Sequence, residues 1–588
     1  MKTIDEILVS VEKPSRYIGG EFGERTLKEE KFNYCICFPD VYEVAMSNLG
    51  IRIVSEVINR VDGACCDRCF SPWHDFGKEL KENNIPLFSL NLRKPLKEFD
   101  MLGFSLQYEM SYTTVLYMLD LAGIPLKRQD RDDSYPIIQG GGPCAFNPEP
   151  LADFFDIFVI GDGEDSMREL TELKLKTSSK QEFLQKATKI KGVYVPSLTY
   201  PVYENGKIVR FEGEKVEKAF CLDLENAVIP NVQGVANTEA VHDRGVIEIM
   251  RGCYRGCRFC QAGFIYRPVR HKSVDKLTKT ACEIMTKCGY DNLSLNSLSS
   301  SDYPYLKDLI VSLNENLPSY STVALPSLRI DSFDEFYVGL AKKNSLTFAP
   351  EGGTQRLRDV INKDITEEDI LTGVKKAFNM GYNAIKLYFM MGLPTETDQD
   401  IEGISQIVNL IRGVYSENPK RLRSLRLTVS VSTFIPKPFT PFQFEKFSSR
   451  EEIERKIELL KKGLFIKGVS FNWNDYDLSM IEAILARGGR DVGEVLYLAY
   501  KKGCYLDSWN EFFKFDKYIE AINESGYDAN SSLGELSETD LLSWDFIDIG
   551  VTKKFLTLER HRAYNDKCTG GCQSGCKGCG LQGRCDIK

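Results

Sequence analysis

Three cysteines with a fixed spacing are the residues of this sequence best suited to chemistry. Cys253, Cys257 and Cys260 form a C-x3-C-x2-C pattern in a glycine-containing loop that follows the apolar run Gly245–Met250. Three thiolates at this spacing can bind three irons of a [4Fe-4S] cluster and leave the fourth iron open to a small molecule. A structural zinc loop is the alternative, and it needs a fourth ligand, for which His271 could be proposed. The strand before the loop favours an oxygen-sensitive iron–sulfur cluster.

A second group of cysteines lies near the end of the sequence. Residues 561–588 hold five cysteines and six glycines but few large apolar side chains. We therefore expect this segment to need a bound metal ion or cluster to hold its structure. Four thiolates suit tetrahedral Zn²⁺, and the same residues could hold an auxiliary iron–sulfur cluster. The segment could contact RNA, accept electrons or cap the fold, and its composition does not choose among these. The cysteines are Cys568, Cys572, Cys576, Cys579 and Cys585.

Two series of alternating strands and helices are predicted to position these residues. The first, in residues 31–185, indicates a parallel, Rossmann-like α/β sheet, and the second, in residues 241–445, indicates a (β/α)6 partial barrel. We expect an N-terminal lead at 1–30, a hairpin and linker at 186–240, an α-rich extension at 446–560 and the Cys-rich tail at 561–588.

The strands of both series can be placed from their apolar runs. In the first series they are Tyr34–Phe38, Met101–Leu106, Tyr135–Gln139 and Ile157–Ile160. In the second they are Gly245–Met250, Asn292–Asn296, Ser321–Leu325, Ser345–Ala349, Ala384–Met391 and Arg426–Phe434.

The cysteine loop closely resembles the motif of the radical S-adenosylmethionine (SAM) superfamily, including the aromatic Phe259 before the third cysteine. The resemblance implies that SAM binds the open iron through its amino and carboxylate groups. It also implies that the reduced cluster cleaves SAM to a 5′-deoxyadenosyl radical, so that the cofactor carries the difficult chemistry. An electron donor such as flavodoxin or ferredoxin is therefore an expected partner.

Several strand ends after the cysteine loop resemble the SAM contacts of the same superfamily. They lie at the carboxyl ends of predicted barrel strands, where barrel active sites are built. The residues are Ser297, Glu351, Gly352, Gly353 and Gly392, and Glu351 is the best of them. Tyr388 and Glu396 are expected near the barrel mouth, but neither is assigned as an acid or base.

The first series resembles the cobalamin-binding domain that precedes many radical SAM barrels. Glycines after a strand let the backbone approach a bulky flat ligand or its nucleotide tail. The residues that carry this resemblance are Ser47, Leu49, Gly50, Ser105, Leu106, Gly140, Gly141 and Gly142. The cobalt-binding histidine of that family is absent, since the first loop begins Asp40-Val-Tyr, and His74 is expected to be a surface or packing residue. Cobalamin would then be bound without a histidine ligand, or the domain has lost it.

A competing resemblance is to the methylthiotransferases, which carry a second cluster in an N-terminal α/β domain. The cysteines that could supply it are Cys35, Cys37, Cys65, Cys66, Cys69 and Cys144. Their spacing matches that pattern poorly, and lone cysteines in strands such as Cys35 and Cys37 are usually small buried hydrophobes. Cobalamin is therefore favoured over a second N-terminal cluster.

Composition and charge limit the compartment and the partners. The 588 residues are 43% hydrophobic and 27% charged, with 18 cysteines and a net charge of −9. We find neither a secretory signal nor an apolar run of the roughly 20 residues that span a bilayer, so a cytoplasmic protein is expected. The negative charge argues against non-specific binding to nucleic acid or membrane. Two basic clusters, 267–272 and 420–426, are interpreted as solvated surface.

The order of these parts resembles a family of cobalamin (B12)-binding radical SAM proteins with a Cys-rich C-terminal tail. Our leading hypothesis is methyl transfer, with cobalamin as methyl carrier, to an unactivated carbon of RNA, protein or a metabolite. One alternative is a radical SAM methylthiolation or rearrangement without methylcobalamin. Another is an RNA- or ribosome-associated iron–sulfur binding factor that does not cleave SAM.

Overall fold

A computed structural model gives the positions of most residues. The structure describes residues 2–204, 206–325, 328–334, 336, 345–421 and 423–585. The statements below concern these residues.

The N-terminal part is a parallel sheet with helices on both faces. Its elements are α1 (Ile4–Leu8), β1 (Phe32–Phe38), α2 (Tyr42–Ala45), α3 (Leu49–Asn59), β2 (Ala64–Phe70), α4 (His74–Glu82), β3 (Met101–Ser105), α5 (Tyr112–Leu121), β4 (Ile137–Gly141), β5 (Ile157–Val159), α6 (Gly163–Lys174), α7 (Lys180–Ala187) and β6 (Val193–Tyr194). The strand order is β2-β1-β3-β4-β5-β6, and only β6 runs antiparallel to its neighbour. The prediction of a Rossmann-like sheet is confirmed.

One strand of this sheet, β2, was not predicted from the sequence. Its residues Asp67 and Arg68 are charged, yet both are buried. The Asp67 carboxylate accepts hydrogen bonds from backbone amides of the chain around residue 91, and Arg68 forms an ion pair with Glu21 at 2.9 Å. These partners compensate the buried charges, so the segment can occupy the edge of the sheet.

A short antiparallel hairpin follows, formed by β7 (Tyr200–Glu204) and β8 (Lys207–Glu212), and the strand β9 (Val216–Glu217) comes next. The hairpin agrees with the sequence prediction.

The central part is a second set of parallel strands with helices between them. Its elements are β10 (Gly245–Glu248), β11 (Met250–Arg251), α8 (Ala262–Ile265), β12 (Arg270–His271), α9 (Val274–Cys288), β13 (Asn292–Asn296), α10 (Leu306–Asn316), β14 (Thr322–Ala324), β15 (Leu346–Glu351), α11 (Gln355–Val360), α12 (Glu367–Asn379), β16 (Ala384–Met391), α13 (Asp398–Ser416), β17 (Arg426–Thr433), α14 (Arg450–Gly463) and β18 (Val469–Trp473). The strands pair as β10-β13-β14 and β15-β16-β17-β18. All six predicted strands are present, and β18 adds a further parallel strand that was not predicted.

The C-terminal part packs against the N-terminal sheet. Its elements are α15 (Tyr476–Arg487), α16 (Val492–Lys501), α17 (Phe515–Ser525), α18 (Asn530–Leu533), β19 (Ile547–Asp548) and α19 (Lys553–Ala563). Helices α15, α16 and α17 share one hydrophobic core with α4, α5 and one face of the first sheet, while α3, α6 and α7 cover the other face. Among the described residues, no helix is long and apolar enough to cross a membrane.

Candidate active site

A cavity of about 370 Å³ lies where the first sheet meets the start of the barrel. One wall is formed by the carboxyl ends of β3, β4 and β5 together with the first turns of α3 and α6. The opposite wall is formed by the chain around β11, by Tyr266 and by the loop that begins at Asn296 after β13. The two parallel sheets thus contribute to a single space, and the cysteine loop begins at its edge.

Six of the residues predicted to contact a cofactor line this cavity, namely Leu49, Gly50, Ser105, Gly141, Gly142 and Ser297. Of the residues predicted for cobalamin, three lie elsewhere. Gly140 belongs to the opposite face of β4, where an added Cβ atom would lie 2.6 Å from the Phe158 ring. Leu106 is fully buried in the core, and the Ser47 hydroxyl donates a hydrogen bond to the Glu43 carbonyl at 3.0 Å. The period of two along a strand explains why adjacent glycines of β4 serve different faces.

Gly142 forms the turn at the cavity edge of β4. Its φ is +107°, and a Cβ atom there would lie 2.6 Å from the carbonyl oxygen of Leu106. Only glycine fits this backbone without strain. Gly141 has no such neighbour, because the nearest atom to an added Cβ is the Val159 carbonyl oxygen at 3.6 Å. The backbone of β4 therefore forms an open wall that a flat ligand could approach closely.

The loop where a cobalt-binding histidine would be expected is occupied by the C-terminal part. The Asp40 carboxylate accepts hydrogen bonds from Trp509 Nε1 at 2.9 Å and from the Ser508 hydroxyl at 3.2 Å. His74 contacts Tyr505, with 2.6 Å between Nδ1 and the phenol oxygen. His74 is thus a packing residue, and no histidine is among the residues that line the cavity in the described structure.

The cysteine loop lies between β11 and α8. Gly252 has a φ of +86°, and a Cβ atom there would lie 2.7 Å from the Tyr266 carbonyl oxygen, so the entry to the loop requires glycine. The Cys260 amide donates to the Cys257 carbonyl at 3.2 Å. Cys253, Cys257 and Cys260 are all partly exposed and unpaired. Burial raises the pKa of Cys253 to about 11 and that of Cys260 to about 12, and both thiols also interact with Cys257.

This donor set fits an iron–sulfur cluster with one open iron, because it offers three neighbouring thiols on one short loop. In the part of the chain that the structure describes, no three histidine, cysteine or carboxylate side chains already converge as ligands of one ion.

Two arginines, one partly exposed and one buried, hold the loop against the rest of the barrel. Arg255 forms an ion pair with Asp302 at 2.7 Å. Arg258 is fully buried, and its guanidinium donates to the carbonyl oxygens of Val360 at 2.8 Å and Lys567 at 2.6 Å. The loop is therefore fixed both to the strand-end loops and to the segment that leads into the C-terminal tail.

Glu351 lies at the end of β15 with a φ of +67°, a backbone conformation that is unusual for a residue other than glycine. Its carboxylate forms an ion pair with Lys363 at 3.3 Å. Burial raises the pKa of the Cys260 thiol, and the positive charge of Lys363 lowers it by a smaller amount. Glu351 and the cysteine loop are thus brought together through a lysine that was not recognised in the sequence. Strained backbone of this kind is common at functional sites.

Other predicted residues have packing contacts. A Cβ atom on Gly353 would lie 2.1 Å from the Asp400 carbonyl oxygen, and the Gly392 amide donates to Glu396 at 2.8 Å. Gly352 lies beside Gly353 against the first turn of α11. Phe259 packs beside the small core that contains Leu357, Val360 and Phe434.

Glu396, expected near the barrel mouth, lies in the turn after β16 and makes structural contacts there. Its side chain is 1% exposed and forms an ion pair with the equally buried Lys456 at 2.7 Å. Glu396 also accepts from the Gly392 amide, so it fixes the turn after β16. Tyr388 remains partly exposed on β16.

A buried charge network at the cavity was also missed. Arg251 forms ion pairs with Asp162 at 3.0 Å, Glu164 at 2.6 Å and Glu248 at 2.8 Å. Asp162 also pairs with Arg270 at 2.5 Å, and although burial raises the pKa of Asp162, the two arginines outweigh it and lower the value to about 2. The available sequence signal was the position of Asp162 and Glu164 at a glycine-rich strand end.

The basic cluster at 267–272 is not a solvated surface as expected. Arg267, Arg270 and Lys272 are all buried. Lys272 donates to the Leu224 carbonyl, and Arg270 pairs with Asp162. These cations therefore bind the linker and the first sheet to the chain that follows the cysteine loop. The second cluster, which includes Lys420, is exposed.

The N-terminal cysteines are buried in the first sheet. All six are buried, and burial raises the pKa of Cys35 and Cys66 to about 12 and that of Cys65 to about 11. These thiols therefore stay protonated near neutral pH and serve as small apolar side chains, as expected for Cys35 and Cys37.

The Cys-rich tail lies directly on the cysteine loop. The Cys572 amide donates to the Tyr254 carbonyl at 2.8 Å. The Asn362 side-chain amide donates to the carbonyl oxygens of Gly256 and Thr569, both at 3.0 Å. Cys568 and Cys576 are exposed, Cys572 and Cys585 are partly buried, and Cys579 is buried. The adjacency of the two cysteine groups was not predicted from their spacing.

Comparison with known proteins agrees with this geometry. The model of radical SAM proteins, N-terminal, matches residues 50–196, and the radical SAM superfamily model matches residues 247–407, which together are just over half of the chain. The chain is 29% identical to an uncharacterised protein of Methanocaldococcus jannaschii over 84% of its own length and 97% of the relative. It is 22% identical to an uncharacterised methyltransferase of Pyrococcus horikoshii, over 53% of the chain and 65% of the relative.

A solved structure, the radical S-adenosylmethionine methyltransferase TsrM from Kitasatospora setae with cobalamin and a [4Fe-4S] cluster bound, aligns with a TM-score of 0.47 and 14% identity. The alignment covers 70% of this chain and 74% of TsrM.

Proposed function

The chain belongs to the radical SAM superfamily, and on this premise we propose that it cleaves SAM reductively to a 5′-deoxyadenosyl radical and uses cobalamin to transfer a methyl group to an unactivated carbon. The substrate would be an RNA, a protein side chain or a metabolite. The observation that carries the proposal is the cavity shared by the glycine-rich strand ends of the first sheet and the entry to the cysteine loop.

Three thiols would hold the cluster, namely Cys253, Cys257 and Cys260. When bound, the cluster supplies the electron that breaks the sulfonium bond of SAM, and cobalamin supplies a carrier for the methyl group. The chain's own contribution is to position these groups. Arg255 and Arg258 fix the loop through buried contacts, so that the open iron would face a preorganised site.

Glu351, Lys363 and Ser297 are the side chains best placed for SAM. Glu351 offers a carboxylate for a ribose hydroxyl or an amino group, and Lys363 offers a positive charge within reach of both Glu351 and the cysteine loop. Ser297 lines the cavity at the end of β13. These contacts would orient SAM between the cluster and the cavity.

Gly141, Gly142, Gly50, Leu49 and Ser105 are the residues best placed for cobalamin. The cavity lies at the carboxyl ends of β3, β4 and β5, beside the first turns of α3 and α6, which is the position where open α/β sheets bind ligands. It is open to solvent, and the empty space within it and at its open side, about 1370 Å³, leaves room for a ligand as large as cobalamin. Asp40 and His74 are engaged by the C-terminal part, so cobalamin would be held without a histidine on cobalt. The relative from P. horikoshii is named a methyltransferase, which supports the same direction.

The test is anaerobic purification from cobalamin-supplied cells, followed by an absorption spectrum, an iron count and an assay for 5′-deoxyadenosine with SAM and a chemical reductant. Corrin bands, iron and 5′-deoxyadenosine are expected together. Cys257→Ala should abolish 5′-deoxyadenosine formation, and Cys282→Ala, which changes a partly exposed thiol on α9, is the matched control. Absence of 5′-deoxyadenosine in the iron-loaded wild type would contradict SAM cleavage.

A second variant tests the cavity separately. Gly141→Leu places a side chain into the open wall of β4 while the backbone stays in ordinary strand geometry. We expect corrin bands to disappear while iron content and SAM cleavage persist. If the wild type yields 5′-deoxyadenosine without corrin, or if Gly141→Leu retains full corrin binding, the cobalamin part of the proposal is refuted.

A further inference from the structure

The tail cysteines are not equivalent, because Cys572, Cys576, Cys579 and Cys585 lie in the segment 572–585 and Cys568 lies before it. Cys579 is buried, and Cys572 and Cys585 are partly buried. The Cys568 thiol is exposed and contacts the Asp359 carbonyl at 3.8 Å.

The backbone of the four-cysteine segment is anchored on both sides. The Thr552 amide donates to the Cys579 carbonyl at 2.9 Å, and Leu581 is 1% exposed in the main core. At the far end, Arg584 forms an ion pair with Glu217 at 2.6 Å. At the near end, the Cys572 amide binds the Tyr254 carbonyl in the cysteine loop. The segment is therefore a placed part of the fold, although its own sequence is rich in glycine.

Arg267 lies between the two cysteine groups and has an unused donor. Its side chain is 5% exposed, and it donates through Nε to the Gly263 carbonyl at 2.9 Å and through Nη2 to the Arg255 carbonyl at 3.4 Å. Nη1 is buried and has no hydrogen-bond partner among the described residues. Arg267 and Cys572 line the same small cavity, together with Tyr254 of the cysteine loop. A buried donor left without a partner is costly, so its position indicates an acceptor or an anion that belongs beside the tail thiols.

We propose that Cys572, Cys576, Cys579 and Cys585 hold a second [4Fe-4S] cluster against the radical SAM loop, and that the electron for SAM cleavage enters through it. The first three repeat the C-x3-C-x2-C spacing of the main loop, and Cys585 adds the fourth ligand that the main loop lacks. With all four irons bound to protein, this site has no open position for SAM. The neighbouring radical SAM cluster must be reduced before it can cleave SAM, so the tail cluster is assigned a role in electron transfer.

The electron count balances in one-electron steps. A low-potential one-electron protein donor of the flavodoxin or ferredoxin class loses one electron. The second cluster accepts that electron and passes it on, so it returns to its starting oxidation state. The first cluster gains one electron, and no bond or proton changes at the tail. The assignment of the tail site stands on its own geometry, whereas its role in electron entry rests on the proposed function.

The first measurement is the iron, acid-labile sulfide and zinc content of the anaerobically reconstituted full chain. Wild type should hold about eight irons per chain, and a Cys576→Ala/Cys579→Ala variant about four. Cys568→Ala is the matched control, since it changes a tail thiol outside the set and should keep about eight. Zinc at the tail with about four irons in wild type, or loss of iron in Cys568→Ala equal to that in the double variant, would overturn the assignment.

Electron entry is measured by 5′-deoxyadenosine formation with two reductants. The double variant should lose formation driven by reduced flavodoxin but keep formation driven by dithionite, which can reach the main cluster directly. Equal activity of variant and wild type with flavodoxin would refute electron entry through the tail. Because dithionite-driven cleavage in wild type tests SAM cleavage itself, failure there identifies the proposed function as the part that is wrong.

Cys585→Ala keeps the test independent of folding, because this residue lies at the end of the anchored segment and its loss should leave the core contacts of Leu581 intact. The variant should show an altered electron paramagnetic resonance signal from one of two clusters. An unchanged two-cluster signal in Cys585→Ala would refute its role as a ligand.

Discussion

Replacing Arg251 by methionine should selectively weaken the junction between the first sheet and the barrel. Methionine keeps most of the side-chain volume and removes the charge. Arg251 is the ion-pair partner of Asp162, Glu164 and Glu248, whose side chains are only 8%, 9% and 17% exposed. Asp162 would keep Arg270, but Glu164 and Glu248 have no other ion pair in the described structure. Two buried carboxylates would therefore lose their counter-charge.

The expected magnitude follows from that loss. Removing one partner of a buried ion pair costs about 3–5 kcal/mol, mostly as the penalty of an uncompensated charge.

Amide hydrogen exchange in β10 and the first turn of α6 would measure the local opening free energy. The matched control is Arg251→Lys, which keeps the charge and should lose less. A double variant with Glu164→Gln should recover part of the loss, because the buried charge disappears with its partner. A loss under about 1 kcal/mol would refute the assignment of Arg251 as the counter-charge of this junction.

Two further predictions concern stability. Burial raises the pKa of Asp507 to about 6, although Thr113 and Tyr518 donate hydrogen bonds that lower it. Protonated Asp507 therefore stabilises the folded state below pH 4, and this contribution is lost as pH rises through 6. The difference amounts to about 3 kcal/mol, and Asp507→Asn should remove that pH dependence from unfolding curves; an unchanged slope would contradict it. Gly142→Ala should cost about 1–3 kcal/mol because of its positive φ, whereas Gly141→Ala should cost nothing measurable, and equal thermal shifts for the two would show that the turn is not strained.

The strand pattern of both sheets could be predicted because most strands are apolar runs between helical segments. The exceptions have physical causes. Strand β2 contains Asp67 and Arg68, whose partners lie elsewhere in the chain and are invisible to a local pattern. Strand β18 is short and partly exposed, so it lacks the buried apolar run from which the other strands were recognised.

Motif spacing predicted the cysteine groups but not their arrangement. Local spacing shows which thiols can share an ion, and it cannot show that Cys572 meets Tyr254 or that Cys568 turns toward Asp359. The basic stretch 267–272 was misjudged for the same reason. A run of cations is usually solvated. Only the fold shows that Arg270 pairs with Asp162 and donates to a backbone carbonyl.

The hydrogen bond between Arg258 and the Lys567 carbonyl joins residues 309 positions apart. The contacts that support the cysteine loop therefore form at two different times during synthesis. At roughly 5–20 residues per second, the loop leaves the ribosome on the order of 15–60 s before the segment that covers it. During that interval Asp302 can hold the loop through Arg255, but the C-terminal segment is not yet present. Once residues 567–572 arrive, Arg258 and Tyr254 both gain their partners, and the loop is then fixed from both sides.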